Sequence, residues 1–235
     1  MTRYHDRTLA LLGDEGARPA RCVAILTDWA EANDITLPAA FLEWAGIDDG
    51  SLLGKYSNDD WFLFDRPEVV TTPDGVRGLR FNSENQNNFD RIVVLDEGDD
   101  PPVLFAWLGE PPWVTNAERF SDAVFAQVFD WQYWLDFRPD DPEYKEIAYT
   151  GEISLETDAC LQLLRRRYEE TVATRFIVEG DRSTEYRFVA SPTLRLTVAV
   201  AGDRSTVIRA TGRPIDRVKE FEDELTSLLA GDGAA

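Results

Sequence analysis

Histidine is almost missing from this chain of 235 residues, with His5 as its one copy. Ser-His and Cys-His nucleophilic catalysis and His-based metal sites therefore have almost no raw material. His5 itself reads as part of a frayed terminus. There are two cysteines, Cys22 and Cys160, far apart in sequence and each on the apolar face of a predicted helix. Two buried thiols are expected rather than a disulfide or a metal pair. No window of 18 apolar residues occurs, and the opening Thr2-Arg3-Tyr4-His5-Asp6-Arg7 lacks the apolar core of a signal peptide. A cytoplasmic protein with no membrane contact is the expectation. No GxGxxG or GxxxxGK[ST] occurs, and the turn at Gly98 runs into Pro101-Pro102 rather than into a helix N-terminus that could hold phosphate. No nucleotide, metal or other cofactor is expected, and no catalytic residue. Basic side chains are also scarce, 24 Lys/Arg against 44 Asp/Glu, for a net charge of −20 and a pI near 4.4. That balance opposes binding to nucleic acid or an anionic membrane and favours a basic partner.

What the chain does have is 43% apolar residues, enough to bury a core in one or two domains. Charge and aromatics divide it near residue 140. Residues 1–140 hold 26 carboxylates against 11 Lys/Arg and all seven Trp, whereas 141–235 hold 18 against 13. Arg138-Pro139-Asp140-Asp141-Pro142-Glu143 reads as a linker, because its prolines cannot extend a helix. In the first part Cys22, Ile25, Leu26 and Trp29 recur at helical spacing behind Pro19, and a short helix from Pro38 offers Phe41, Leu42 and Ala45. Strands are predicted over 61–64, 76–81, 89–95 and 103–108, then a helix over 118–135 with Phe120, Val124, Val128, Trp131 and Leu135 on one face. The second part reads as a helix striped by Cys160, Leu161, Leu164 and Tyr168, strands over 174–178, 185–189, 193–200 and 206–210, and a helix from Pro214 burying Ile215, Val218, Phe221, Leu225 and Leu228. In the third of these strands Leu194, Leu196, Val198 and Val200 alternate with Arg195, Thr197 and Ala199, so one face should meet the helices and the other water. The expected class is α+β: residues 1–140 an antiparallel sheet with flanking helices, residues 141–235 a small α-β-β-β-β-α domain with a four-stranded antiparallel sheet.

Carboxylates are the one chemically active group in abundance. The run Asp96, Glu97, Asp99, Asp100 admits three uses: a solvated loop, which is the ordinary one in a chain this acidic, a cation or glycosidase-like carboxylate pair, and a contact with a partner. The partner surface is expected on the first domain, from Asp48 and Asp49, Asp59 and Asp60, and the Asp96 to Asp100 turn, with Trp61 or Trp113 as apolar anchors. These residues fall in predicted loops, where side chains are free to face a partner.

Leu37-Pro38-Ala39-Ala40-Phe41-Leu42-Glu43-Trp44 closing on Asp48-Asp49-Gly50, then Phe81 with Glu84-Asn85-Gln86, the strand Ile92 to Leu95, Asp100-Pro101-Pro102-Val103 and the aromatic helix Phe120 to Leu135 follow one another in the order seen in the SUKH superfamily. Over residues 20 to 137 the chain resembles that superfamily; the region after about 145 is not covered. The resemblance implies a noncatalytic α+β binding domain. Members include bacterial immunity proteins that neutralise toxins, many of them nucleases, and fungal regulators of cell-wall synthesis that act as interaction hubs. An immunity protein that binds a basic toxin domain is the reading this favours, with an intracellular adaptor lacking a toxin and a carboxylate-dependent hydrolase as the alternatives.

Overall fold

The computed structural model describes residues 3–12, 22–48, 50, 52–53, 60–61, 67–84, 86, 88–107, 110–135, 145–149, 157–178, 180–191, 194–201, 205–212, 219–221, 223 and 227. The fold is α+β. The chain divides into two compact units, one of Met1–Gln132 with Arg175–Glu179, the other of Tyr133–Thr174 with Gly180–Ala235. The expected linker, 138–143, lies outside the described residues.

The first unit runs α1 (Asp6–Leu12), α2 (Cys22–Ala32), α3 (Ala39–Ala45), β1 (Asp60–Trp61), β2 (Glu68–Thr71), β3 (Arg77–Ser83), β4 (Phe89–Val94), β5 (Val103–Trp107), β6 (Val114–Ala117) and α4 (Phe120–Leu135). Its sheet has the order β1-β3-β4-β5-β6, with β2 also pairing β3, all antiparallel. From β2 to β6 each strand pairs the next as a local hairpin, expected of short strands with turn residues between them, while β1 pairs β3. The core is aromatic. Phe41 and Trp44 of α3, Phe81 of β3 and Phe120 of α4 are all buried. A register shift between Arg80 and Asn82 re-aims Phe81, whose ring meets Phe120 edge-on at 5.3 Å.

Several expectations shift here. The terminus holding His5 is not frayed: it leads into α1, and His5 is fully buried, because His5, Thr8 and Leu12 share one helical face. On α2 the buried stripe is Cys22, Leu26 and Ala30, while Ile25 is 53% exposed and Trp29 half-buried, so only a narrow strip of this helix is covered. In α3 Trp44 is buried and Leu42 half-buried. β2 and β6 were not anticipated. Both are four residues long, too short to show alternation, and β2 is joined to β3 by a turn in which the Thr72 hydroxyl accepts from the Val76 amide at 3.1 Å.

The second unit contains β7 (Lys145–Tyr149), α5 (Thr157–Arg167), β8 (Glu169–Val178), β9 (Asp181–Ser191), β10 (Leu194–Ala201) and β11 (Ser205–Gly212), and residues 219–221, 223 and 227 are helical. The sheet has five strands, not four, in the order β7-β11-β10-β9-β8; the extra strand β7 pairs β11 from Ile208↔Tyr149 to Gly212↔Lys145. Leu194, Leu196 and Val198 of β10 meet Cys160, Leu161 and Leu164 of α5, with Phe188, Ile208 and Phe221, in one core. Both cysteines are buried free thiols, and burial pushes the Cys160 thiol up. The opposite face of β10 is not simply wet. Arg195, Thr197 and Ala199 are half-buried, and Arg187, opposite Thr197, is 1% exposed. Its guanidinium is satisfied by the Glu185 carboxylate at 2.8 Å and the Thr174 hydroxyl at 2.9 Å, as a buried cation requires.

The segment Arg175–Glu179, the end of β8 and the residue after it, counts with the first unit. There the Asn116 amide donates to the Arg175 carbonyl at 2.8 Å, Glu118 pairs with the Arg175 guanidinium at 2.8 Å, and Phe176 lies edge-on to Phe105 at 5.6 Å.

Gly78 marks a close approach within the first sheet. A methyl group there would lie 2.7 Å from Ile92 Cδ1 and 2.9 Å from its Cβ, with the Ile92 side chain fully buried and unable to retreat. Gly78→Ala is expected to lower stability by about 1–3 kcal/mol, read as a lower urea midpoint at unchanged m.

Candidate functional site

The connection from β4 to β5, residues 95–102, is an acidic turn tied to neighbouring elements by several hydrogen bonds. Asp96 and Gly98 both take positive φ, +67° and +92°. Asp tolerates that region and Gly occupies it freely, which lets the chain reverse tightly and push its side chains outward. The Leu95 amide donates to the Arg77 carbonyl at 2.9 Å, and the Val94 amide to the Pro102 carbonyl at 3.0 Å, closing the base of the turn. Its tip is then fastened to two helix N-termini. The Asp99 carbonyl accepts from the Ala40 amide at 2.8 Å, satisfying a donor that Pro38, the N-cap of α3, leaves without a side-chain partner. The Asp100 carboxylate accepts from the Ser121 amide at 2.9 Å and its hydroxyl at 2.6 Å, capping α4.

Three carboxylates of this turn, Asp96, Glu97 and Asp99, remain exposed. Asp96 lies 3.4 Å from the Arg77 guanidinium across a largely exposed gap. Beside Asp99 stands Tyr4, whose hydroxyl is held above its ordinary pKa first by partial burial and then by the Asp99 carboxylate next to it. Glu43 of α3 accepts from the Tyr4 and His5 amides at 3.2 Å each, so the start of the chain is tied to the same end of the unit. Tyr4, His5 and Glu43 were not among the expected site residues; the i, i+3, i+7 spacing of His5, Thr8 and Leu12 is the signal that could have found that segment.

Those of the ten expected partner residues that are described do not form one surface. Asp96, Glu97, Asp99 and Asp100 lie together, but Asp100 is only partly exposed and both its oxygens serve Ser121. Asp48 must be withdrawn. It is 2% exposed, and its carboxylate accepts from the Leu52 amide at 2.9 Å and the Leu53 amide at 3.2 Å, an internal turn cap rather than a free charge. Asp49 and Asp59 lie outside the described residues. Asp60 and Trp61 form β1, which pairs with Ser83 and Asn82 at the end of β3 remote from Arg77. Six residues of strand separate the two ends, about 20 Å at roughly 3.3 Å per residue. Trp113, half-buried, precedes Val114, which lies opposite Phe105. That places it toward the Asp60 end, in a row that runs through Ser83, Asp90 and Ala106.

Asp90, in that row, is 4% exposed; one of its oxygens lies 3.2 Å from the Arg80 guanidinium and the other has no hydrogen-bond partner. Burial, partly offset by Arg80, holds its carboxyl above the usual range. Arg80 also pairs with Glu68 at 2.9 Å. The group reads as an internal pair across neighbouring strands. Among the described residues no set of three or more His, Cys, Asp or Glu is arranged to hold a metal ion, and no helix is long and apolar enough to cross a membrane.

No protein-family model matches the chain, and no curated protein matches it. Among solved structures, the solution structure of cyanobacterial PsbP (CyanoP) from Synechocystis sp. PCC 6803 aligns with 70% of this chain and 89% of its own at 13% identity, with a TM-score of 0.21. Agreement that loose bears on neither fold nor function.

Capping and exposure separate the carboxylates of the turn experimentally. Asp100→Ala should cost about 1–2 kcal/mol by uncapping α4, whereas Glu97→Ala should stay within about 0.5 kcal/mol of the parent. Urea unfolding of the two variants checks both values.

Proposed function

We propose that this protein is a noncatalytic binding protein of the SUKH kind, an immunity protein that acts in the cytoplasm by binding and neutralising a basic toxin domain such as a nuclease. The observation that carries the reading is the β4–β5 turn: three exposed carboxylates on a turn tied by its backbone to Ala40 and Arg77 and by the Asp100 carboxylate to Ser121. A pre-ordered acidic projection loses little conformational freedom on docking and matches a surface built to hold phosphates. The net charge of −20 would steer a cationic partner toward it from a distance. The order of motifs over residues 20 to 137 supports the same class of protein.

The reading predicts a toxin gene beside this one, and the test uses that toxin. Co-expression of the parent chain should restore growth to cells making that toxin. Replacing Asp96, Glu97 and Asp99 together by Lys should weaken binding by well over the roughly 1 kcal/mol of a rim contact, with little change in thermal stability. The reading fails if the triple variant protects and binds as well as the parent does. A second measurement addresses mechanism. The on-rate should fall as salt rises from about 0.05 to 0.5 M, where the Debye length shrinks several-fold. An on-rate indifferent to salt over that range counts against electrostatic recognition.

A further inference from the structure

His5 carries the chain's one imidazole, and it sits where a positive charge would be poorly housed. Its ring is fully buried, 5.0 Å from Trp44 and edge-on to Phe120 at 5.9 Å between ring centres. Nε2 lies 2.9 Å from the Ala40 carbonyl. A carbonyl only accepts, so Nε2 carries the hydrogen and Nδ1 is left as a bare lone pair. Nδ1 is buried and has no hydrogen-bond partner. Protonation would create a buried N–H aimed at no acceptor and a charge among aromatic rings.

The charged and titratable neighbours come from every element packed around the ring. Glu43 comes from α3, Asp99 and Asp100 from the β4–β5 turn, Tyr4, Asp6 and Arg7 from the ring's own segment, and Asp122 from α4, 3.6 Å from Arg7. The carboxylates that pull toward a charged imidazole are already engaged, Glu43 by the Tyr4 and His5 amides and Asp100 by Ser121. Burial outweighs the pull of the Ala40 carbonyl, Glu43 and Asp100 and holds His5 below its ordinary 6.5.

We propose that His5 is a proton-sensitive latch: protonation of its imidazole in mildly acidic solution undocks α1 from α3 and α4 while the rest of the first unit stays folded. The sign follows from linkage. With α1 released, His5 regains an ordinary affinity for the proton; docking is therefore at full strength above about pH 6.5 and weakens as pH falls from there toward the docked ring's own value. One proton is involved, so the opening constant rises about tenfold per pH unit inside that window.

Two measurements on the full chain test the latch. Because no other histidine is present, the imidazole Cε1–H resonance reports His5 alone, and it should titrate clearly below 6.5. Amide exchange in α1, beginning with Leu9, whose N–H donates to the His5 carbonyl at 2.8 Å, should lose about tenfold of its protection per pH unit below 6.5 after correction for intrinsic exchange. Amides of α3 and β4 should keep theirs, and His5→Phe should abolish the slope. An imidazole titrating at or above 6.5, a slope that persists in His5→Phe, or equal loss of protection in α1, α3 and β4 would each overturn the proposal. Should His5→Phe fail to dock α1 at all, the imidazole titration and the element-by-element exchange of the parent chain still decide it.

Discussion

The ring of Phe120 is the point on which the first unit depends. It opens α4, and it touches Phe41 of α3 at 5.4 Å, Phe81 of β3 at 5.3 Å and His5, ahead of α1, at 5.9 Å. Two helices, the sheet and the segment leading into α1 thus share one buried contact. Tilted and edge-on pairs of this kind fix orientation as well as burying area. What holds the ring in place is polar. Asp100 caps α4 at the residue after Phe120, and the carbonyl of Asp99 does the same for α3 one residue before Phe41. Because one turn terminates both helices, displacing it disturbs the apolar centre and the acidic tip together.

The apolar pattern was readable from sequence wherever an element was long enough to repeat itself. α4, β3, β4, β5 and the core of the second sheet stood out because Phe120, Val124 and Val128, or Leu194, Leu196 and Val198, recur at one period. β2, β6 and β7 did not, since they are short and mix polar with apolar residues, unlike the continuous apolar run Val103-Leu104-Phe105-Ala106-Trp107 of β5. α1 was missed for a different reason. Its buried face is His5, Thr8 and Leu12, and two of the three are polar, so burial there follows from what α3 and α4 present rather than from the segment's own hydrophobicity. The site was less legible still. Nothing in the string Asp48-Asp49 or Asp99-Asp100 distinguishes a carboxylate that satisfies backbone amides from one that faces solvent; only the folded positions of Leu52, Leu53 and Ser121 do.

The acidic surplus of this chain accordingly serves two ends. Asp48, Asp100 and Glu43 accept from backbone amides, and Asp90 sits buried beside Arg80. Asp96, Glu97 and Asp99 face water on the turn those contacts hold still. Internal carboxylates of the first kind are sensitive to loss of even one oxygen, because each leaves a buried donor without a partner. Those of the second kind tolerate exchange individually and matter through their summed field.

The grouping of Arg175–Glu179 with the first unit has a bearing on how such a protein could have been assembled. Its Asn116, Glu118 and Phe105 find partners in residues encoded some sixty to seventy positions downstream, beyond β7, α5 and most of β8. A module closed in this way is discontinuous in the gene. A segment cut near residue 140 would leave a carboxylate, an amide and an aromatic edge without the partners they have here.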